Sequence, residues 1–235
     1  MKSCEKNLQA FINTLEETKS ISSGWPEFFF VKFEAKDVIR WPFRKETGAF
    51  KSKAACKAQA EKTLKTIYNQ AEQRFRQAKD EILTNYLDSL TELLGRLDGL
   101  LDQCRTAENE TAAASIRDLL TAEQISRDII QFFEGSRENY LLPPLSAYLE
   151  QIEYTHHSQE DLAQSDVERI FERMFRRYGF NALDAAHKID QDCRTQLLDF
   201  RKEFLRKARL QVIRSVVDPV YKLLPELAAD EAVAS

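Results

Sequence analysis

Glycine and proline are scarce in this 235-residue chain, with six of each. Residues 43–142 contain no proline at all. Because proline interrupts helices and both residue types favour turns, their scarcity argues against a turn-rich β protein and favours long helices. The chain also has no run of 18 apolar residues, so no segment is expected to cross a bilayer as a helix.

Signatures of common enzyme classes are missing as well. The four cysteines (Cys4, Cys56, Cys104 and Cys193) form no C-x-x-C pair, which excludes a zinc ribbon and predicts reduced thiols in a cytosolic protein. No P-loop, no G-x-G-x-x-G and no G-x-S-x-G occurs. The N-terminus lacks the apolar core of a signal peptide. The sequence therefore predicts a non-enzymatic cytoplasmic protein with no cofactor.

Apolar residues recur at spacings of three and four through most of the chain, which is the pattern of amphipathic helices. Gly135, Gly179 and Pro219 are expected to end three of these helices. We predict an all-α fold, an elongated bundle of five to six helices forming one domain over residues 1–225, with a loose tail at 226–235. The predicted helices cover residues 3–19, 51–105, 111–134, 141–153, 165–178 and 181–217.

The longest predicted helix carries two apolar stripes, the second shifted by one residue from the first. Apolar residues spaced alternately four and three positions apart over two to three heptads predict packing against long partner helices, in a bundle or a coiled coil. Gly95 and Gly99 reduce helix propensity by roughly 1 kcal/mol each, and either allow close approach of another helix or mark fraying. The candidate helix-pairing residues are Leu83, Leu87, Leu90, Leu94, Leu97 and Leu101.

Between the first two predicted helices lies an aromatic-basic segment, residues 24–50, which holds eight of the 24 aromatic residues. Residues 40–65 contain eight basic and two acidic side chains, in a chain of net charge −4. Prolines and alternating residues predict a short hairpin or loop here. Aromatic rings beside cations suit a layer of anionic lipid headgroups. The predicted membrane-contact residues are Trp25, Phe28, Phe29, Phe30, Trp41 and Phe43, with Arg40, Arg44, Lys45, Lys51 and Lys53 as headgroup ligands.

Two other interpretations of this segment stay open. Most aromatic clusters are buried, so the same rings could form a satellite core inside the bundle. Exposure of Trp25 and Trp41 would distinguish the two. Stacking aromatics with cations would also suit single-stranded nucleic acid, but the negative net charge makes nucleic acid the less favoured partner.

Acidic residues precede two of the three histidines by three positions, in the pairs Glu153–His156 and Asp184–His187. Carboxylate-bridged di-iron bundles use such pairs. Here a whole intervening helix would have to fit into the 27 residues between the pairs, and one pair has Asp in place of Glu. Two charged pairs on solvated faces are therefore the favoured interpretation and no metal site is predicted, while an enzyme with a carboxylate–histidine metal site stays open as a less favoured alternative. Two basic clusters are predicted to be solvated helix faces with i,i+4 ion pairs: Arg173, Arg176 and Arg177, and then Arg201, Lys202, Arg206, Lys207, Arg209 and Arg214.

The order of parts carries a family resemblance. A helix leads into WPEFFFVKFEAKDVIRWPFRK, and the long helix AEKTLKTIYNQAEQRFRQAKDEILTNYLDSLTELLGRL follows. Over residues 1–105 this layout resembles the helical trunk and membrane-contacting tip of bacterial dynamin-like GTPases, although the GTPase domain is absent. In that family the tip binds lipid and the trunk mediates assembly.

Two functions are favoured as expectations. The first, which follows from the aromatic-basic segment and agrees with the resemblance, is a non-catalytic, homo-oligomeric assembly module that contacts the inner face of a membrane peripherally through that segment. The alternative is a soluble helical scaffold whose long helices pair with a partner helical protein or a second copy.

Overall fold

The computed structural model describes residues 2–25, 53–150 and 180–228, and the regular structure within these ranges is entirely helical. The predicted all-α fold is confirmed. The aromatic hairpin or loop, the helix predicted over residues 165–178 and its expected end at Gly179 lie outside the described residues. The helices are α1 (Lys2–Thr18), α2 (Lys53–Cys104), α3 (Glu110–Leu119), α4 (Ala122–Arg137), α5 (Leu145–Leu149), α6 (Phe180–Val212) and α7 (Asp218–Leu227). A π-helical turn, Ile213–Val217, joins α6 to α7.

The long helix predicted over residues 51–105 is α2, which spans 52 residues. Its two predicted apolar stripes join into one buried stripe whose members follow one another at spacings of three or four. Tyr86, 1% exposed, lies at the junction, while Leu83 and Leu87 are only partly buried. The stripe comprises Leu64, Ile67, Ala71, Phe75, Ala78, Ile82, Tyr86, Leu90, Leu94, Leu97, Leu101 and Cys104.

The segment predicted as one helix over residues 111–134 is two helices, so this prediction is wrong. Thr121 separates them with an extended backbone, φ −64° and ψ 106°. The physical reason lies in the apolar spacing. Leu120 and Ile125 are five residues apart, which a single straight helix places on different faces, and the break allows both to be buried.

Two predicted helix ends are also wrong. Gly135 lies inside α4 without a positive φ, because the helix needs no left-handed residue there. Pro219 is expected to break the last helix, since its ring would clash with the carbonyl of Ser215 in a regular α-helix. The π-helical turn includes Ser215 and widens the backbone at that point. The helical backbone therefore continues past Pro219 as α7. It continues as far as Leu227, which is 3% exposed, and residues 229–235 of the predicted tail lie outside the described ranges.

The chain divides into two compact units. The first comprises Met1–Pro26, Lys79–Tyr140 and Asp199–Ser235. Its core is an aromatic cluster of Tyr86 from α2, Phe133 from α4, and Phe200 and Phe204 from α6, each at most 1% exposed. Three edge-to-face pairs among them have ring centroids 5.4 to 5.8 Å apart, and Phe200 and Phe204 stack at 6.1 Å. Such pairs add about 1 kcal/mol each beyond the burial of their surface.

A buried lysine ties α4 to α2 within the first unit. Lys79 is 2% exposed, and its Nζ donates hydrogen bonds to the carbonyls of Arg137 at 3.0 Å and Tyr140 at 2.8 Å. These carbonyls lie at and just beyond the C-terminus of α4, where helix carbonyls lack intrahelical donors. The ammonium also lies 5.6 Å from the centroid of the Phe200 ring. Lys79 is therefore a C-terminal cap supplied by another helix.

The second unit comprises Glu27–Ala78 and Leu141–Leu198. Tyr148 of α5 is 1% exposed, and its hydroxyl donates to Asp192 of α6 at 2.9 Å. The ring of Tyr148 lies 5.9 Å from that of Tyr68 in α2, whose hydroxyl donates to the carbonyl of Pro143 at 3.0 Å. Two tyrosines thus fasten the short helix α5 to two long ones. The helix predicted over residues 141–153 is described only to Glu150, and within that range it is limited to Leu145–Leu149.

Candidate functional site

The structure describes only the margins of the aromatic-basic segment. Trp25 is the one predicted membrane-contact side chain within the described residues. Lys53 is the first residue of α2, but its side chain is not among those described. The remaining predicted contact residues also lie outside the described ranges: Phe28, Phe29, Phe30, Arg40, Trp41, Phe43, Arg44, Lys45 and Lys51.

The chain approaching Trp25 is held firmly by the first unit. α1 ends at Thr18, whose hydroxyl donates to the carbonyl of Leu15 at 2.6 Å. Ser23 is fully buried, and its carbonyl accepts a 2.6 Å hydrogen bond from Nη2 of Arg201 on α6. A Cβ atom placed on Gly24 would lie 4.0 Å from the side-chain amide nitrogen of Asn85 on α2. Helix α6 therefore positions the start of the aromatic-basic segment, and α2 lies beside it at Gly24.

The indole of Trp25 is 45% exposed. The guanidinium carbon of Arg201 lies 5.3 Å from the centroid of the Trp25 ring, in cation–π contact. Such a contact at an exposed site contributes about 0.5–1 kcal/mol. One arginine thus fixes the backbone at Ser23 and supports the ring two residues later. The result is an amphipathic aromatic ring, open to solvent, beside a positive charge.

Sequence reasoning identifies Arg201 only as a member of a basic helix face. Its role depends on contact with residues about 180 positions earlier in the chain, and no local pattern signals that. Of the predicted i,i+4 pairs in the second basic cluster, Lys207 bonds Glu203 at 2.6 Å. Glu203 also accepts a hydrogen bond from Tyr140. These two hydrogen bonds, that of Lys207 first, lower the pKa of Glu203. The first cluster, residues 173–177, lies outside the described residues.

The predicted helix-pairing leucines belong mostly to the core of the chain itself. Leu90, Leu97 and Leu101 are fully buried, and Leu94 is 2% exposed. Leu83 and Leu87 are half-buried. The exposed side of the same stretch of α2 carries polar residues and two glycines, Gly95 and Gly99. A Cβ atom placed on either glycine would meet no described atom within 4 Å.

The residues considered for metal or nucleophile chemistry are not brought together in the described ranges. His187 is exposed on α6, while Glu153, His156 and the side chain of Asp184 lie outside them. Within residues 2–25, 53–150 and 180–228, no three His, Cys, Asp or Glu side chains are grouped as a metal site. Burial raises the pKa of the Cys193 thiol to about 12, so this cysteine is held as an unreactive thiol.

No family model, curated protein or solved structure matches the chain. Among the helices that the structure describes, none has the length and apolarity needed to cross a bilayer.

Proposed function

We propose that this protein is a non-catalytic helical module that contacts an anionic membrane surface peripherally through its aromatic-basic segment. The observation that carries the proposal is Trp25, which is 45% exposed and lies 5.3 Å from the guanidinium of Arg201. The resemblance to dynamin-like proteins stays a prediction, and the proposal does not depend on it.

The chemistry of this position supports contact with lipid. Tryptophan is strongly buried on average in soluble proteins, yet it is enriched where one end of a side chain meets lipid and the other meets water. A neighbouring arginine attracts lipid phosphate, and each cation close to an anionic surface adds about 1 kcal/mol. The buried anchor at Ser23 holds the backbone, so little ordering of the chain at Trp25 is needed on binding.

The test is binding to vesicles with and without the two tryptophans. The wild-type chain is expected to co-sediment with phosphatidylglycerol vesicles at low salt, and binding should fall as salt rises. The double variant Trp25→Ala/Trp41→Ala should lower the partition coefficient about tenfold. The reason is that each ring is only partly buried in the lipid, so its loss removes about 1 kcal/mol or less of binding free energy.

Leu141→Ala provides the matched control, because Leu141 is a large apolar side chain that is 66% exposed outside the segment. This variant should bind vesicles like wild type. Absence of binding to anionic vesicles at low salt, or equal binding by the tryptophan variant and wild type, would refute the proposal.

A second candidate function is self-association through α2, and the exposed glycines favour it. Gly95 and Gly99 are one helical turn apart on the solvent side of α2, and Cβ atoms placed there have free space. Glycine costs a helix roughly 1 kcal/mol relative to alanine, and no packing within the described part of the chain explains the choice. We call this surface of α2, formed by Gly95 and Gly99, the glycine strip. Because it has no side chains, another helix can approach it closely.

Replacing Gly95→Ala and Gly99→Ala together tests this candidate. The double variant should raise the free energy of unfolding of the monomer by up to about 2 kcal/mol, because alanine restricts the unfolded chain and fits without strain. If two copies associate through the glycine strip, the added methyl groups should keep their helices apart. The double variant should then lose concentration-dependent association in analytical ultracentrifugation.

Gly135→Ala is the matched control, since Gly135 is also helical, exposed and open. It should stabilise the fold by about 1 kcal/mol and leave association unchanged. A wild-type chain that stays monomeric at every concentration would eliminate this candidate.

A further inference from the structure

The solvent side of α6 carries a second surface with the chemistry of Trp25 and Arg201. Beyond Lys202, positions at intervals of three and four residues share one face of the helix and the π-helical turn that extends it. None of these side chains belongs to the buried core, which α6 supplies from its opposite side through Phe204, Ala208 and Val212. We define the α6 contact face as Lys202, Leu205, Arg206, Arg209, Leu210 and Ile213.

Among the described residues, the positive charge of this face is largely uncompensated. Lys202 lies 3.9 Å from Asp199, and both side chains are more than half exposed, so this pair is weak. Arg206 and Arg209 form no salt bridge with any described residue, and both are exposed. The only acidic residue from 202 to 213 is Glu203, which is engaged first by Lys207 and Tyr140, with Arg206 acting on it at longer range.

Apolar side chains lie between these cations. Leu210 is 40% exposed, and Leu205 and Ile213 are half-buried. An ordinary solvated helix face alternates charges of both signs. Here three cations and three aliphatic side chains share one face, so the aliphatic side chains can enter the headgroup layer while the long Lys and Arg side chains keep their charges at the phosphates.

The face is continuous with Trp25 through a single residue. Arg201, which contacts the Trp25 ring, immediately precedes Lys202 on α6. Leu205 is one helical turn beyond Arg201 on the same side. We expect one lipid surface to engage both, because the Trp25 contact and the α6 contact face start from neighbouring positions of α6.

We propose that the α6 contact face is a second binding surface for anionic lipid headgroups, acting together with the aromatic-basic segment. This inference rests on the proposed membrane contact and extends it to a helix face that the sequence pattern assigns to solvent. Lipid is the occupant that the charges and side chains fit: the cations meet phosphates, and the leucines enter the headgroup layer. A nucleic acid fits this face less well, because half of its side chains are aliphatic and none is an aromatic ring on which bases could stack.

The test compares three variants of the full chain on vesicles of phosphatidylglycerol and phosphatidylcholine at low salt. The face variant is Lys202→Gln/Arg206→Gln/Arg209→Gln. A matched control, Arg74→Gln/Arg127→Gln/Lys222→Gln, removes the same charge from three exposed cations on other helices. The third is Trp25→Ala/Trp41→Ala. With about a fivefold loss for each cation near the lipid, the face variant should bind on the order of 100-fold more weakly, and the control no more than a few-fold.

The outcomes separate this inference from the proposed function. Loss in the face variant with little loss in the charge control supports the inference, provided that the unfolding temperature of the face variant matches that of wild type. Equal binding by the face and control variants, with loss only in the tryptophan variant, overturns the inference and leaves the proposed function standing. Loss in the face variant alone supports the α6 contact face and refutes the role of the tryptophans. Wild-type binding to an oligonucleotide but not to vesicles overturns both.

Discussion

Replacing Leu90 with lysine is expected to unfold the first unit. Leu90 is 0% exposed within the buried stripe of α2, so the substitution removes a buried aliphatic side chain and places an ammonium group in the core. Loss of the leucine alone costs about 2–5 kcal/mol, and an unpaired buried charge adds several kcal/mol. Their sum approaches the whole stability of a typical domain, about 5–15 kcal/mol.

Circular dichroism during urea unfolding would measure this effect. Thr91→Lys is the matched control, because Thr91 is the next residue of the same helix and is exposed. That variant should unfold within about 0.5 kcal/mol of wild type. A Leu90→Lys protein that keeps its helical signal and its unfolding midpoint, and loses only an oligomeric state, would contradict the core assignment.

The leucine stripe of α2 has a partner within the chain. A heptad-like stripe predicts a partner helix, and the sequence cannot specify whether that helix belongs to the same chain. Because Leu90, Leu97 and Leu101 are buried by the chain itself, self-association has to use another surface. The exposed glycines of α2 are the surface that the structure offers for it.

The second large effect is expected at Lys79. Replacing it with alanine removes the donor for two carbonyls, those of Arg137 and Tyr140, and leaves a cavity against Phe200. Hydrogen bonds to a charged group contribute about 1.5–3 kcal/mol each, and a carbonyl left without a donor costs about 1–3 kcal/mol. We expect Lys79→Ala to lower the free energy of unfolding by about 3 kcal/mol, offset partly by relief from burying the ammonium.

Thermal and urea unfolding of Lys79→Ala would be compared with Lys65→Ala, which truncates an exposed lysine of the same helix and should change stability by less than about 0.5 kcal/mol. Lys79→Met separates packing from hydrogen bonding, because methionine refills the volume without a donor. A Lys79→Met protein as stable as wild type would show that the carbonyls do not need the lysine.

Both variants probe the scaffold that holds the proposed lipid surface. Phe200, which lies against Lys79, is one residue before Arg201 on α6. The same stretch of helix therefore presents Phe200 and Phe204 to the core and Lys202 to the outside, with the half-buried Arg201 at the edge between them. A rigid core on one side of α6 keeps the cations on the other side in a fixed arrangement, which lowers the ordering needed on binding.

The helical content of this protein was determined by its sequence. The absence of proline from residues 43–142 and the apolar spacing of three and four place α2 within two residues of its predicted ends. These are local properties, since helix propensity and amphipathic periodicity act between residues less than about a turn or two apart. The same locality explains why α1, predicted at residues 3–19, is found at Lys2–Thr18.

Tertiary structure determined the helix boundaries at positions where the local sequence was compatible with more than one backbone conformation. Pro219 predicts a helix end, but the π-helical turn before it lets the helix continue and bury Leu227. The α3–α4 break at Thr121 exists because Leu120 and Ile125 both reach the core. In each case burial of apolar side chains outweighed a backbone preference of about 1–3 kcal/mol.

The residues of the candidate site could largely be predicted from the sequence, but their arrangement could not. The aromatic rings and cations could be read from the sequence, but their exposure could not, because a tryptophan has the same local pattern in a core and on a surface. Arg201 becomes part of the site only through contacts with Ser23 and Trp25, and Lys79 becomes a cap only through carbonyls about 60 residues later. Contacts between residues distant in sequence arise from packing in three dimensions, and a one-dimensional pattern does not contain them.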